Sequence, residues 1–372
     1  MKRGRPTNRL LDRYIGIPVL NLLTLFRWRR KWPEVVNRVG VVVNPALGDT
    51  MLASAAVRDL RELYPRAQLI FFAAGSNIAV ARMMQEIDDL VVIPMTRPWE
   101  AIQRMREARL DVLVDFTSWQ RLTAMMSYLS GARFRVGFAR AGQYRHRGYD
   151  ATVPHLGTCH ELENLRRMTA FLGTRQHLAP RLAVSGEIES VEFAYKRVVV
   201  FHAWASGALS MLREWPEENW VRLAERLQSP DRIFVLTGGP GDRARCEQFQ
   251  QRLEQVGLTV HVQIGSRGLD EVARVLLQAE LLVSVNTGIM HLGAILGTPT
   301  VALNGPNAAN RWGPVGARVA NVETCDGSGG FLDLGFEFDG RNVMNRILVE
   351  SVVEASERLL HAEAGEPKAL GV

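Results

Sequence analysis

Cysteine is scarce in this chain, three residues in 372, and Cys159, Cys246 and Cys325 lie far apart with no C-x-x-C pair and no histidine at zinc-finger spacing. That excludes a disulfide-stapled module and a structural zinc site, and the expectation is reduced thiols in a cytoplasmic protein. No apolar run approaches the roughly 20 residues needed to cross a bilayer. Neither G-x-G-x-x-G nor G-x-x-x-x-G-K-[ST] occurs, so a dinucleotide fingerprint and a Walker loop are both missing. There is no internal repeat at solenoid period and no low-complexity tract. What remains is ordinary globular composition, 47% hydrophobic and 23% charged, at a length that suggests two domains.

The net charge of +6 is unevenly placed. Residues 1–38 hold ten Lys and Arg against Asp12 and Glu34, a net +8, which leaves the rest of the chain at −2. A near-neutral body with a basic tail is not a duplex-binding surface, because phosphate contacts need positive charge spread over the docking face. No nucleic-acid partner is expected. Within the tail, residues 14–26 (YIGIPVLNLLTLF) form an apolar run followed by RWRRKW. No small-residue cleavage site follows the run, so export is not expected. Apolar residues, Trp28, Trp32 and clustered cations fit a segment lying in an anionic membrane interface, on the inner face of the cytoplasmic membrane. A helix packed on the body with a solvated basic end is the other reading, and Pro18 would kink either.

The body alternates strand-like and helix-like segments, the pattern of parallel α/β sheets. In the first half 39–44, 68–73, 90–94, 111–116 and 134–137 read as strands, with helices at 49–63, 77–86, 98–108 and 119–130. In the second, strands are expected at 197–202, 232–237, 259–264, 281–285 and 300–303, again with helices between. Two Rossmann-like halves joined near 179–196 follow, giving a basic apolar segment 1–38, domains at 39–180 and 196–345, and a C-terminal helix and tail at 346–372. The final helix, 342–361, is expected to pack back across the join, and 362–372 to fray.

Open α/β sheets bind ligands at the carboxyl ends of their strands, so the loops there carry the chemistry. In NPALGDT (44–50), Gly48 permits a tight turn and Asp49 sits where a helix begins. Asp49 suits an N-cap, and equally a general base, although a helix N-terminus favours the ionised form and weakens basicity. In the loop 203–215, Ser206, Gly207 and Ser210 can offer amides and hydroxyls to phosphate, with Arg213 supplying a guanidinium. In SVNTGIMHL (284–292), a strand ends in Asn286-Thr287-Gly288 and opens a small-residue helix, an arrangement that suits a diphosphate. An ordinary capped helix with His291 in the core is the plainer reading, and Gly305-Pro306-Asn307 would line the same crevice.

These segments together resemble the ADP-heptose:lipopolysaccharide heptosyltransferases, inverting glycosyltransferases of the GT-B fold, over roughly residues 38–360. VSVNTGIMHLGAILGTPTVALNGP (283–306) is similar to that family's donor signature. LGDTMLASAAVRDLRELYP (47–65), LREWPEENWVRLAERL (212–227) and VLTGGPGD (235–242) match three further motifs in the same order. The resemblance implies two Rossmann-like domains facing across a cleft, a nucleotide-sugar donor such as ADP-heptose, and an anionic glycolipid acceptor. By residue it implies Asp49 as the base that deprotonates the acceptor hydroxyl, and Arg213, where the family usually has lysine, as the charge that neutralises the leaving diphosphate. Thr287, Gly288 and His291 match the donor phosphate loop, and Asp242 is placed near the ribose. Asn286 stands where an aspartate normally contacts the donor sugar, which opens the donor to a sugar other than heptose. His160-Glu161 resembles another recurrent family position, read as interdomain.

The run 133–147 (RFRVGFARAGQYRHR) supplies Arg133, Arg135, Arg140 and Arg145 as candidate holders of a phosphorylated or acid-sugar acceptor, a solvated loop being the default for such a run. No metal or other cofactor is expected, since there is no D-x-D triplet and arginine with helix amides can take the leaving charge. The rivals are a GT-B-type nucleotide-sugar epimerase or hydrolase, and a non-catalytic sugar-nucleotide-binding protein.

Overall fold

The computed structural model describes residues 10, 12–25, 30–185, 196–207, 210–264, 268–332 and 341–362. Expectations that fall on Lys2, Arg3, Arg5, Arg9, Arg27, Trp28 and Arg29, on most of the join, on two residues of the 203–215 loop and on the C-terminal tail lie outside the described residues. Two compact units are distinguished, Met1–Ala183 and Val184–Val372.

In the first unit a short helix α1 (Gly16–Leu23) precedes β1 (Arg38–Val42), α2 (Leu47–Leu63), β2 (Gln68–Ala73), α3 (Ile78–Ala81), β3 (Asp89–Val92) and α4 (Pro98–Glu107). β4 (Val112–Asp115), α5 (Arg121–Leu129), β5 (Phe134–Ala139), β6 (Ala151–Pro154) and α6 (Glu161–Leu172) complete it. The six strands are all parallel, in the order β3-β2-β1-β4-β5-β6. Parallel strands need crossovers, and crossover helices cover both faces, so the central strands are unbroken apolar runs: Val39, Val41, Val112, Leu113 and Val114 are all fully buried. The helix expected over 77–86 is a single turn, and β6 was not foreseen in the sequence. β6 is only four residues ending in Pro154, a composition that an edge strand tolerates and a central one does not.

α1 packs on α5 through Leu20, which joins Ala124 and Tyr149, and through Gly16, where an added Cβ would stand 3.2 Å from Arg121 Cβ. Asp12 ties the same arginine at 2.7 Å. The helical residues 12–14 give way at Ile15 and α1 begins beyond it; Pro18 lies in the first turn of α1, where its absent N–H leaves no bond of that helix unmade. Trp32, assigned above to a lipid headgroup zone, sets its ring edge-on to Phe134 at 4.8 Å, and Arg30 donates to the Ala132 carbonyl.

The second unit runs β7 (Arg197–His202), α7 (Glu217–Leu227), β8 (Arg232–Gly238), α8 (Arg243–Gln255), β9 (Val260–Ile264) and α9 (Leu269–Gln278). It continues through β10 (Ala279–Val285), α10 (Gly288–Leu296), β11 (Thr300–Asn304), α11 (Ala309–Trp312), β12 (Val319–Glu323) and α12 (Val349–His361). Its strands are also parallel, in the order β12-β11-β10-β7-β8-β9. α10 lies close on β10: a Cβ at Gly293 would stand 2.4 Å from Leu282 Cδ2, so any side chain there would force that buried leucine to shift. α12 was expected to pack back across the join. It packs instead on its own unit, against β12, β11, β10 and α7, with Val352, Val353 and Leu359 in that core. The three cysteines are free thiols, and burial pushes Cys246 up to about 12, which makes it unreactive.

Each sheet reverses its strand order once, between β1 and β4 in the first unit and between β7 and β10 in the second. Such reversals part the loops on either side and open a crevice at the carboxyl edge, which is where ligands bind in sheets of this kind.

Candidate active site

In the first unit the reversal is flanked by the loop after β1 and the loop after β4. α2 is capped by Ala46, so Asp49 is not the N-cap residue but the third residue of the helix. Its carboxylate is held from the preceding loop: Asn44 Nδ2 donates to Asp49 Oδ1 at 3.1 Å and to Ser118 Oγ at 3.2 Å, while Ser118 N–H donates back to Asn44 Oδ1 at 3.4 Å. Asn44 therefore pins Asp49 across the strand reversal. A small pocket beside it is lined by Asn44, Asp49, Phe116 and Glu161. Glu161, in the first turn of α6, is buried and held by His155 Nε2 at 3.0 Å and Asn164 Nδ2 at 3.3 Å. His160 caps that helix through Nδ1, which accepts from Leu162 N–H at 3.1 Å.

The arginine run divides on the structure. Arg135 points into the core, where Asp150 takes its Nε and Nη2 at 2.8 and 2.9 Å and the Tyr128 carbonyl takes Nη1. Arg145 is fully buried and donates to Gln120 O, Thr117 O, Thr117 Oγ1 and Tyr149 Oη. Both are structural cations, which corrects the acceptor role expected of them. Arg133 is exposed and pairs with Asp111 at 3.4 Å, but it precedes β5 and so stands at the amino edge of the sheet, opposite Asp49. Arg140 directly follows the carboxyl end of β5.

In the second unit the loops after β7, β8, β10 and β11 stand at the carboxyl edge. After β7, Ala203, Trp204, Ala205 and Trp215 are buried in the core and anchor the loop, and Trp215 Nε1 donates to Ile347 O at 3.0 Å. Between these anchors Gly207 takes φ +102°, a conformation other residues resist, and Arg213 Nη2 donates to Ser206 O. Ser206, Gly207 and Arg213 are thus brought together. After β8, Asp242 Oδ2 accepts from Gly239 N–H at 2.9 Å, closing a short turn over Pro240–Asp242.

After β10, Thr287 is the N-cap of α10, yet its hydroxyl caps nothing: Oγ1 is buried and has no partner among the described residues. A buried hydroxyl without a protein partner at a helix N-terminus is suited to hydrogen-bond a polar ligand. Gly288 is the first helical residue and His291 is buried one turn further on. Asn286 donates from Nδ2 to Asn304 Oδ1 at 2.7 Å and to Trp312 O at 3.1 Å, and Asn304 passes the chain on to Asn321 Oδ1 at 2.8 Å. An amide, not a carboxylate, completes that ladder. After β11, Asn307 Oδ1 is a second buried acceptor without a partner among the described residues.

Sequence reasoning missed Asn44, Ser118, Asn304 and Asn321. Only the order of the strands brings them to the site, and single-segment patterns carry no information on that order.

A family model described as glycosyltransferase family 9 (heptosyltransferase) matches residues 99–328 of this chain. Lipopolysaccharide heptosyltransferase 1 of Salmonella typhimurium is 34% identical over 114 residues, 30% of this chain, and the match spans only 33% of that protein's length. Among solved structures, Escherichia coli ADP-heptose lps heptosyltransferase II superposes with TM-score 0.72 at 20% identity, over 88% of this chain and all of that one. E. coli heptosyltransferase WaaC with ADP-2-deoxy-2-fluoro heptose gives 0.66 at 20% identity, over 86% of this chain and 99% of that one. These likenesses give the chain the GT-B fold. With the family model covering more than half its length, the chain belongs to glycosyltransferase family 9, the heptosyltransferases.

Proposed function

We propose that this chain is an inverting glycosyltransferase that moves a sugar, heptose first among the candidates, from a nucleoside diphosphate to a hydroxyl of the lipopolysaccharide core or a related cell-envelope glycan. The observation that carries the reading lies at the carboxyl edge of the second unit, where β7 and β10 are neighbours: the unmatched Thr287 hydroxyl starts α10 after one strand and the Ser206–Gly207–Arg213 loop follows the other. In the reaction the acceptor oxygen bonds to the anomeric carbon as the bond to the diphosphate oxygen breaks, with inversion. Asp49 takes the acceptor proton, and Arg213 with the α10 amides stabilises the charge on the leaving diphosphate. The WaaC structure with an ADP-heptose analogue supports ADP-heptose as the first donor to test. Asn286 supports testing others, because it presents an amide where the family pattern has a carboxylate.

A thermal-shift screen against ADP-heptose and other ADP-, GDP-, UDP- and dTDP-sugars tests the proposal. A ligand at 100 times its Kd stabilises the native state by about 2.7 kcal/mol, a readily measured rise in Tm. The expected result is a selective rise with ADP-heptose. A selective rise with a different nucleotide sugar replaces the donor and keeps the transferase, and no rise with any of them rejects the reading.

The acceptor side of the proposal places Arg140 near an anionic group of the glycolipid and α1 against the membrane. Among the described residues no helix is long and apolar enough to cross a membrane. What supports surface binding is the direction α1 faces. Gly16, Leu20 and Thr24 turn inward, whereas Tyr14, Ile15, Val19, Leu22 and Leu25 are exposed. The outward side is thus the apolar side, the reverse of a solvated helix and the arrangement of an interfacial one. Replacing Tyr14, Ile15 and Leu22 by serine leaves the inward contacts intact, and it should abolish most of the sedimentation with phosphatidylglycerol vesicles. Equal pelleting of wild type and variant would reject membrane docking through this face.

A further inference from the structure

His202 ends β7 beside Ser284 of β10, at the strand reversal of the second unit. It is 92% buried, being 8% exposed, and nothing in the mechanism above uses it. Its Nδ1 lies 2.9 Å from Thr237 Oγ1, and Thr237 Oγ1 donates in turn to Phe201 O at 3.3 Å. With the threonine proton turned to that carbonyl, Oγ1 receives the N–H of Nδ1, and in this arrangement the proton is on Nδ1 and the lone pair on Nε2. Among the described residues nothing pairs with Nε2.

Charge does not change this picture near neutral pH. Burial pushes His202 down to about 4, against the opposing pull of Asp242 and the Thr237 backbone. A neutral ring cannot neutralise a diphosphate, but with its proton on Nδ1 it offers an acceptor at Nε2. Asp242, on the loop after β8, the strand paired with β7, is a second acceptor, with Oδ2 already holding Gly239 N–H. Two acceptors on adjacent strand ends match a vicinal diol.

We infer that His202 is a donor-binding residue, whose Nε2 accepts a hydrogen bond from one ribose hydroxyl of the nucleotide while Asp242 takes the other. This rests on the proposed nucleotide-sugar donor and deepens it. The pair selects ribonucleotides over their deoxy counterparts, and His202 contributes through recognition of the ribose and not through the leaving charge.

Calorimetric titration of the full-length protein with ADP, 2′-deoxy-ADP and 3′-deoxy-ADP tests the assignment. In the wild type each deletion should weaken binding roughly two- to tenfold, the worth of one neutral hydrogen bond. In His202→Phe, ADP should weaken by the same factor, and the penalty for one of the two deoxy nucleotides should vanish while the other persists. Imidazole 15N spectra of the unsubstituted protein give a second readout that does not depend on the variant folding. A lone-pair Nε2 signal that shifts with ADP, and not with the nucleotide lacking its partner hydroxyl, supports the contact. A protonated Nε2 or an unmoved signal overturns it. Discrimination in His202→Phe equal to wild type also overturns the assignment but leaves the function standing. If ADP, and every nucleotide sugar in the donor screen, fails to bind, the functional reading falls and this one with it.

Discussion

Asp49→Asn is expected to lower kcat by about 10²–10⁴-fold, the usual contribution of a positioned general base, with donor affinity unchanged. The substitution is nearly isosteric. Asn44 donates to Asp49 Oδ1 at 3.1 Å, and an asparagine at 49 retains an oxygen to receive that bond, so the tether from Asn44 to Ser118 survives. What is lost is the ability to accept the acceptor's proton. The removed charge also lies in the first turn of α2, where a carboxylate is worth about 0.3–1 kcal/mol of helix stability, too little to unfold the chain. Steady-state kinetics combined with donor thermal shift separate the cases. A fall in kcat with an unaltered donor shift is the predicted outcome, and full turnover in the variant would remove Asp49 from the chemistry.

The local signals for the fold were strong where a segment's burial matched its composition. β2 and β7 are central or near-central runs of apolar residues, and they occupy the residues expected of them. β12 escaped notice because it is an edge strand with one buried face, VANVE alternating in and out, and so lacks an unbroken apolar run. The turn that opens α10 was legible for a similar reason: Asn-Thr-Gly before a small-residue helix is a local arrangement that depends on nothing distant. The arginine run was not. Its five arginines look alike in sequence, but strand alternation turns Arg135 inward onto Asp150, and Arg133 falls at the wrong end of a parallel strand. Asn286 shows the same limit. Its role as one rung of an amide ladder with Asn304 and Asn321 depends on β10, β11 and β12 being neighbours, which only the assembled sheet determines.

Asp115→Ala should destabilise the first unit more than any substitution at the site itself. Asp115 and Arg145 have side chains with no exposure at all and lie 3.6 Å apart. Asp115 is the acceptor at the centre of a closed network. Oδ2 receives Tyr149 Oη at 2.7 Å and Ser127 Oγ at 3.0 Å, and Oδ1 receives the Thr117 N–H at 2.9 Å as well as the Thr117 hydroxyl. Burial pushes the Tyr149 phenol well above its usual range, so it remains a donor and cannot replace the missing anion. Alanine at 115 strands a buried guanidinium and leaves these donors unmatched, at a cost of about 3–5 kcal/mol. Against a typical total of about 5–15 kcal/mol, that is a large fraction of the stability. For a unit of this size it should lower Tm by roughly 6–20 °C in a thermal melt. The loss comes from an uncompensated charge and not from the vanished pair, so removing both charges, Asp115→Leu with Arg145→Met, should recover much of it. An unchanged Tm in the single variant would show that Arg145 is not held by this network and would return it to the candidates for acceptor binding. The same network lies beneath Thr117 and Ser118, whose contact with Asn44 holds Asp49. Loosening it should therefore lower kcat even in the fraction that stays folded, which links a buried ion pair in the core to the placement of the proposed base, Asp49, at the sheet edge.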